Sequence, residues 1–546
     1  MENYLFITGG VVSSLGKGVT TASLAALFKA CNLKVGIIKV DGYLNIDAGL
    51  MSPIEHGEVF VTYDGFETDL DIGNYERFVG IPISGKNSIT AGRVFMDVIS
   101  LERRGHYLGA TVQIVPHLTN HIKSLIQEIG QGNDITLVEI GGVVGDIESM
   151  HFLEAIRQMH LTMKDKSAFL HLGLVPFLEH TNENKTKPIQ HSVRTLLSMG
   201  IQPDFIICRS QRQLSPAEIA KIGLFCNVDA KSVISSPDIA SKYELPLRLA
   251  EAGVDTLILQ RLGVEVQRNA QHMQSWEGLG RQLFARKDLP RLRIGFVRKY
   301  LTNADNYVSL IDSLILSGFQ NGCSPEVVYV DVDSPDIEKQ LESVDCVVVP
   351  GGWGESGVES MIDAIKFTRE RNLPFLGICY GFQLALIEFA RNVLGLVGAH
   401  TEEVRPETEH PIVLQLSKLF RQEHPVEQLM SPLLRLGTFT MRQSGDTVFR
   451  KVYPADEVQE RFRHRYTFNN KYHDQFEQAG IAFPLMGDYS HTTLYDAFQY
   501  TKNDLHIGVQ FHPEFRSSIF EINPVLHHLV EFAAARVKAR GAGAGA

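Results

Sequence analysis

YLFITGGVVSSLGKGVTTASLAALFKA, residues 4–30, decides how the first half of the chain is read. An apolar run (4–9) leads into a glycine-rich loop, and the loop opens a helical stretch that begins near Thr20. Strand, loop and helix in that order are the start of a parallel sheet whose first turn can face phosphate. Working outward, further apolar runs fall at 35–41, 135–142, 169–175, 204–210 and 232–236. Helical patterns lie between several of them. Continuous apolar strands separated by helices predict a parallel sheet covered on both faces. The pattern restarts at RIGFV (293–297), with a helix near 306–317 and strands at 325–332, 346–352 and 374–379. The predicted fold class is therefore α/β, with two domains, each a mostly parallel sheet covered by helices. The boundaries predicted are a first domain over 1–265, a polar helical or irregular linker over 266–291, a second domain over 292–535, and a disordered tail over 536–546.

Composition supports a globular chain of this kind. The 546 residues are 44% hydrophobic and 21% charged. No apolar run approaches the roughly 18 residues of a membrane span, and the N-terminus lacks a signal-peptide pattern. Lys and Arg number 52 against 63 Asp and Glu, a net charge of -11, which argues against nucleic acid as a bulk partner; with no long apolar run, no membrane partner is expected either. Six scattered cysteines without a CxxC pair predict reduced thiols and a cytoplasmic setting.

The loop GGVVSSLGKG holds Gly9, Gly10, Gly16 and Gly18, whose backbone N–H groups can turn toward phosphate oxygens, and Lys17, which would neutralise the terminal phosphates. Its spacing departs from GxxxxGK[ST]. Five residues separate Gly10 from Gly16, and Gly18 stands where a hydroxyl is usual, so Ser13 and Ser14, or Thr20 and Thr21, would have to supply hydroxyls. Asp69 and Asp71, two apart in TDLDIG, would point the same way on an extended strand. Glu139 ends an apolar strand, where open α/β sheets hold ligands. Such hard oxygen donors suit Mg²⁺. In KTKPIQHS, Lys185, Lys187 and Gln190 could clamp a second triphosphate, with Lys39 and Lys221 adding charge; Asp146 and Glu148 follow Glu139 in GDIES.

The second half carries a different chemistry. Cys379 closes the run PFLGIC and begins a helix, a strand-to-helix corner that exposes a nucleophile at a helix N-terminus. VQFHPEF (509–515) places His512 and Glu514 two apart on a stretch expected to be extended. Thiolate, base and orienting carboxylate then follow in the order of a Cys–His–Glu set. PGGWG (350–354) supplies Gly351 and Gly352 as candidate oxyanion donors.

Taken together, GGVVSSLGKG, MSPIEHGEVFVTYDGFETDLD, GDIES, KTKPIQHS, GICYGFQ, RHRY (463–466) and QFHPEF resemble the CTP synthase family over about residues 2–535. The resemblance implies a P-loop-like amidoligase domain followed by a class I glutamine amidotransferase domain. It implies ATP-dependent phosphorylation of O4 of UTP, then displacement by ammonia released from glutamine, to give CTP. It places ATP at Ser13, Ser14, Leu15, Gly16, Lys17, Gly18, Val19, Lys39 and Asp71, and Mg²⁺ at Asp71 and Glu139. The pyrimidine nucleotide falls at Ser13, Asp146, Ile147, Glu148, Lys185, Thr186, Lys187, Gln190 and Lys221. His56 and Val59 match an ammonia passage. Gly352, Cys379, Gln383, Glu402 and Arg465 match the glutamine site. A homotetramer inhibited by CTP and activated by GTP is implied as well.

Departures from the family pattern are local. Gly42 and Ala48 replace prolines, Val143 replaces a threonine in the GDIES string, and Asn184 precedes the lysine clamp. His106 stands where an acid is usual, Arg298 replaces a glycine, Ser356 an arginine, and SPLLRLG (431–437) a glycine-rich lid. The last two predict an altered response to GTP. A specialised relative aminating a different pyrimidine nucleotide is the alternative within this class. An ATP-switched binding or assembly protein is the alternative outside it.

Overall fold

A computed structural model describes residues 2–267, 269–284, 289–298, 304–332, 334, 336–423, 434–489 and 492–543. The chain divides into two compact units, one of residues 1–51 and 68–283, the other of 52–67 and 284–546.

The first unit is built on β1 (Asn3–Gly10), α1 (Lys17–Ala30), β2 (Val35–Asp41), α2 (Leu70–Val79), β3 (Ser88–Thr90), β4 (Ile135–Ile140), β5 (Ser167–Leu174), α3 (Lys187–Ser198), β6 (Phe205–Ser210) and β7 (Val233–Pro237). The strands form one sheet in the order β7-β6-β5-β1-β4-β2-β3, with every neighbouring pair parallel. β1, β2 and β4 are buried at every position, as strands covered on both faces must be. The β2–β4 register sets Lys39 beside Glu139. Phe6, Ile38, Val138, Phe152 and Phe169 belong to the core on one face.

The second unit repeats the logic with β8 (Arg291–Arg298), α4 (Val308–Gln320), β9 (Ser324–Asp331), β10 (Cys346–Val349), β11 (Phe375–Ile378), α5 (Tyr380–Asn392), β12 (Arg435–Gln443), β13 (Glu457–His464), β14 (Ile481–Ala482), β15 (Ala497–Tyr500), β16 (His506–Val509) and α6 (Pro524–Gly543). Its main sheet runs β9-β8-β10-β11-β16-β15-β14, parallel through β16 and antiparallel at the last two strands. β12 and β13 pair antiparallel in a separate four-stranded sheet.

Three stretches differ from the boundaries read off the sequence. The helix Ala270–Phe284 lies in the predicted linker, yet up to residue 283 it belongs to the first unit. Its Trp276 is buried and sits 5.9 Å from the Phe78 ring. Residues 285–288 lie outside the described residues. α6 carries the chain helically to Gly543, through residues expected to be disordered. Lys and Ala favour helix there, and Lys538 donates to the Asn321 carbonyl at 2.7 Å. Finally, residues 52–67 belong to the second unit although sequence order places them inside the first.

Candidate functional site

In the first unit the loop after β1 ends at Gly16, whose φ of 84° caps α1 in the left-handed region that favours glycine. Gly9 gives room to Lys17: a Cβ there would lie 2.7 Å from the lysine Cδ. Lys17 Nζ donates to the Gly142 carbonyl at 2.9 Å, and burial lowers its pKa against the pull of Glu139. Gly18 explains the missing hydroxyl residue, because a Cβ there would sit 1.8 Å from Asp71 Oδ1. The Asp71 carboxylate fills that space. Ser13 and Ser14 are exposed, whereas Thr20 and Thr21 are buried in α1, so the two serines are the hydroxyls left facing out of the loop. Leu15 is buried and Val19 half-buried.

Asp69 and Asp71 are not on an extended strand. Asp69 caps α2 and its carboxylate accepts from the Asp71 N–H at 2.9 Å, which places Asp71 in the first helical turn. An aspartate ahead of a helical run satisfies the free N–H groups there, and that preference overrides the alternation read from TDLDIG. Both carboxylates still converge with Asp41 and Glu139 on Lys39. Its Nζ lies 3.4 Å from Asp41, 3.8 Å from Asp69 and 3.7 Å from Glu139, and is hydrogen-bonded to Asp71. Burial alone would discharge Lys39, but the surrounding carboxylates outweigh it and hold its pKa well above the ordinary lysine value. Burial pushes Asp41 up to about 7 and raises Glu139, which accepts from the Tyr75 hydroxyl. Asp71 and Glu139 thus bring hard oxygens to one point beside the phosphate loop, where the Lys39 ammonium supplies the positive charge; among the described residues no group of three or more His, Cys, Asp or Glu side chains is placed to hold a metal ion.

The proposed pyrimidine-site residues are spread over the phosphate loop, the loop after β4, the segment leading into α3, α3 itself and the helix Pro216–Cys226. Asp146 Oδ2 accepts from the Val143 N–H at 3.0 Å, so the main chain at 143 meets Asp146 without a threonine hydroxyl. Ile147 and Glu148 are exposed. Gly42 admits a close approach of Glu148, whose Cβ would be 2.8 Å from a Cβ at residue 42. Lys185 pairs with Glu183; Gln190 donates to the buried Thr186 hydroxyl at 3.1 Å. Lys187, His191 and Ser192 of α3 line one cavity with Val11 and Val144. Lys221 is exposed on the helix Pro216–Cys226 and is not part of that lining.

Beneath the loop lies a group the sequence reading missed. His171 on β5 is fully buried between the Thr8 hydroxyl at 2.9 Å and the Ser192 hydroxyl at 2.8 Å. Burial, then the charge of Lys17, pushes its pKa down to about 3.

In the second unit Cys379 sits between β11 and α5 with φ 49° and ψ -96°. That is a strained conformation for a residue with a side chain. The glycines on either side make the corner possible. A Cβ at Gly381 would lie 2.1 Å from the Val349 carbonyl oxygen, and one at Gly377 would lie 2.7 Å from the Gly381 carbonyl. The Cys379 thiol faces the Arg463 carbonyl at 3.7 Å, and Gln510 donates to the sulfur at 3.6 Å.

His512 and Glu514 also depart from expectation. His512 precedes a short 3₁₀ turn, Pro513–Arg516, instead of lying in an extended stretch. Proline at the first helical position favours that turn. The turn brings Glu514 Oε1 to 2.8 Å from His512 Nδ1 and leaves the other ring nitrogen for the sulfur. Burial opposes charging of His512, but Glu514 and Cys379 outweigh it and raise its pKa to about 10. Gly351 lies against both groups: a Cβ there would be 2.9 Å from His512 Cε1 and 3.6 Å from Cys379 Cβ.

A cavity of about 90 Å³ opens on the sulfur and is lined by Pro53, Val59, Tyr307, Gly351, Gly352 and Arg463 among others. It includes Val59 but not His56, which is exposed on the helix Pro53–His56. Gln383 donates to the Tyr466 carbonyl and to Gln510, a support for the elbow. Glu402, paired with Lys418 at 3.1 Å, and the exposed Arg465 do not line the cavity. Arg463, two residues earlier in RHRY, does. Ser356 is exposed, and Arg298 stacks 4.0 Å from the Tyr329 ring. His106 is exposed. Residues 431–433 of the altered lid lie outside the described residues.

The other five cysteines are buried and unbridged. Among the described residues, no helix is long and apolar enough to cross a membrane.

Residues 3–264 match the family model described as CTP synthase N-terminus, and residues 303–532 match glutamine amidotransferase class-I. A curated CTP synthase from Aquifex aeolicus (strain VF5) is 43% identical over 531 residues, covering 97% of this chain and 98% of its own. Among solved structures, the glutaminase domain of Trypanosoma brucei CTPS with bound acivicin is 29% identical, covering 45% of this chain and 94% of its own, with a TM-score of 0.41. A glutamine amidotransferase from Thermotoga maritima is 16% identical, covering 45% of this chain and 97% of its own, with a TM-score of 0.28.

An amidoligase half and a glutamine amidotransferase half in one chain define a glutamine-hydrolysing, ATP-dependent ligase. The chain belongs to the CTP synthase family. Glutamine-dependent conversion of UTP to CTP is the activity of that family.

Proposed function

We propose that Cys379, His512 and Glu514 hydrolyse glutamine and that the resulting ammonia aminates a pyrimidine nucleotide primed by ATP at the β1 loop. The observation that carries this reading is the Cys379 elbow facing a base that Glu514 holds at 2.8 Å. The sulfur attacks the glutamine amide carbon, and as the C–N bond breaks the imidazolium of His512 protonates the amide nitrogen, which leaves as ammonia. Water then releases glutamate from the thioester. The N–H groups of Gly351 and Gly352 are the candidate donors to the oxyanion, with Gln383 supporting the elbow behind it. Glu402 and Arg465 remain candidates for holding glutamine's charged end, which needs a longer reach than the amide. Val59, on the cavity wall, and His56 near it belong to the ammonia path.

In the first unit, Ser13 to Val19 cradle the ATP phosphates and Lys17 neutralises them. Lys39 organises Asp71 and Glu139, the residues that would hold Mg²⁺. The ion would screen triphosphate charge. Asp146, Ile147, Glu148, Lys185, Thr186, Lys187, Gln190 and Lys221 form the acceptor clamp, with UTP as the acceptor. The balance is ATP, UTP and ammonia to ADP, phosphate and CTP. A setting in the cytoplasm fits six cysteines without a disulfide. A homotetramer fits the exposed Ile99, Leu108 and Ile114, apolar side chains that a free monomer leaves in water. CTP and GTP are the effectors of this reading.

A second acceptor is favoured by one observation. Gly42 and Val143 both border the Asp146–Glu148 loop, where a close backbone approach replaces a proline and a hydroxyl. An acceptor screen decides between the two. The protein is incubated with ATP, Mg²⁺ and glutamine, with and without GTP, and with UTP, dUTP or other pyrimidine nucleotides; products are read by mass spectrometry. CTP from UTP at the highest rate supports the primary reading, and preferential amination of another nucleotide moves the assignment to that acceptor.

A further inference from the structure

Residues 52–67 reach every part of the Cys379 centre. On the side of the base, the Phe60 ring meets Phe515 edge-on at 5.1 Å, and Phe515 stacks on the His512 ring at 4.9 Å and 18°. Arg461 reinforces that contact. One of its guanidinium nitrogens donates both to the Val61 carbonyl at 3.1 Å and to the Phe515 carbonyl at 3.0 Å. Its own carbonyl accepts from the His512 N–H at 2.8 Å. On the side of the nucleophile, Arg463 lies two residues further along β13, so it projects to the same face of the strand. Its carbonyl receives the Cys379 thiol, and its guanidinium pairs with Glu67 at 2.6 Å. On the side of the oxyanion loop, Glu58 accepts from the Ser309 N–H and hydroxyl, and the Glu58 N–H donates to Asp305 at 2.9 Å. Between those two anchor points, the Tyr307 hydroxyl donates to the Gly351 carbonyl at 3.0 Å.

We infer that residues 52–67 are a working part of the glutaminase centre, with Phe60, Glu58 and Glu67 acting as positioning residues. They act respectively on His512, on the Gly351 loop and on Cys379 through Arg463. None of the three side chains touches the reacting atoms. Each fixes a group that does, and a displacement of a fraction of an ångström at a nucleophile or base is costly in rate. The inference rests on the proposed glutaminase role of Cys379, and it adds that this role needs a segment from outside the C-terminal half of the sequence. Both ends of the segment continue into residues of the first unit, at Met51 and Thr68.

The test uses the full-length protein with Phe60→Leu, Glu58→Gln and Glu67→Gln. Phe60→Leu keeps an apolar side chain in a buried place but removes the ring; the two Gln variants keep shape and remove charge. Glutamate release, ammonia-driven nucleotide amination and melting temperature are measured for each. The expected result is a fall of about tenfold or more in kcat for glutamine hydrolysis in Phe60→Leu, with KM within about threefold. The alkaline limb of its pH profile moves down, and ammonia-driven amination stays within about twofold. Glu67→Gln and Glu58→Gln should each lower the same kcat by about threefold or more. A general structural role would lower both activities and the melting temperature together. Unchanged kcat for glutamine hydrolysis in all three variants would overturn the inference. So would a parallel loss of both activities in all three. If Phe60→Leu misfolds, the two Gln variants decide. A Cys379→Ala control separates the layers: if it keeps glutamine hydrolysis, the glutaminase assignment itself has failed, whatever the positioning variants do.

Discussion

At the scale of single residues, Cys379 and its base carry the sharpest chemistry. A thiol held at positive φ between two indispensable glycines has no packing reason to be there. Cys379→Ala should abolish glutamine-driven amination by more than about a hundredfold while leaving ammonia-driven amination intact, since ammonia enters from solution. Parallel assays with the two nitrogen sources check this. His512 is raised to about 10 by Glu514 and Cys379, which overcome its burial. Its folded value lies above the ordinary 6.5, so the stabilisation it brings is complete below 6.5. That stabilisation is lost as pH rises through about 10. Glu514→Gln removes the first of the two attractions. It should lower glutamine hydrolysis about tenfold or more and move the alkaline limb of the pH–rate profile to lower pH. A limb that stays in place would disconnect Glu514 from the base.

At the scale of elements, strands were easy to read and short turns were not. The buried runs of β1, β2 and β4 declare themselves through unbroken apolar residues. TDLDIG and QFHPEF carry an extended pattern yet fold as helical turns, because alternation competes with helix-start preferences over four or five residues. At Asp69 the capping carboxylate won; at the other site proline in the first helical position set the turn. Lys17, Cys379 and His512 stand out as site candidates from their motifs alone. The supports do not, because Tyr307, Phe60 and Arg463 have ordinary structural explanations until their neighbours are known. Gly18→Ala would drive a Cβ into Asp71. It should cut amination with either nitrogen source at least tenfold and leave glutaminase activity standing, as separate assays of the two reactions would reveal. Arg435, from the altered lid string, is buried as the partner of Asp496 and lies 3.7 Å from the Phe462 ring. Asp496→Ala strands that guanidinium and should cost about 3–5 kcal/mol. Denaturant unfolding measures the loss.

At the scale of the whole chain, buried histidines shape the response to acid. Burial pushes His171, His464 and His506 down to about 3 each. Above pH 6.5 these groups are neutral folded and unfolded, so they make no difference to stability. Between 6.5 and about 3 the unfolded chain takes up protons that the folded chain refuses, and stability falls by about 1.4 kcal/mol per pH unit for each group. Thermal melts from pH 7.5 to 5 should show a steep decline that is reduced in His506→Gln. An unchanged slope in that variant would mean that other groups govern acid unfolding.

Composition, apolar runs and a handful of glycine-framed motifs were enough to name two α/β halves and to single out a candidate phosphate loop and a candidate cysteine nucleophile. Those features depend on residues near one another along the chain, where spacing and chemical type speak directly. Other features depend on contacts between residues far apart in order. Strand register sets Lys39 beside Glu139. The space over Gly18 is taken by Asp71. Residues 52–67 leave their sequence neighbours to brace His512 through Phe60 and Phe515. Folding chose these pairings by burial and hydrogen-bond geometry in three dimensions, and a linear pattern carries no record of which distant residue fills a given gap.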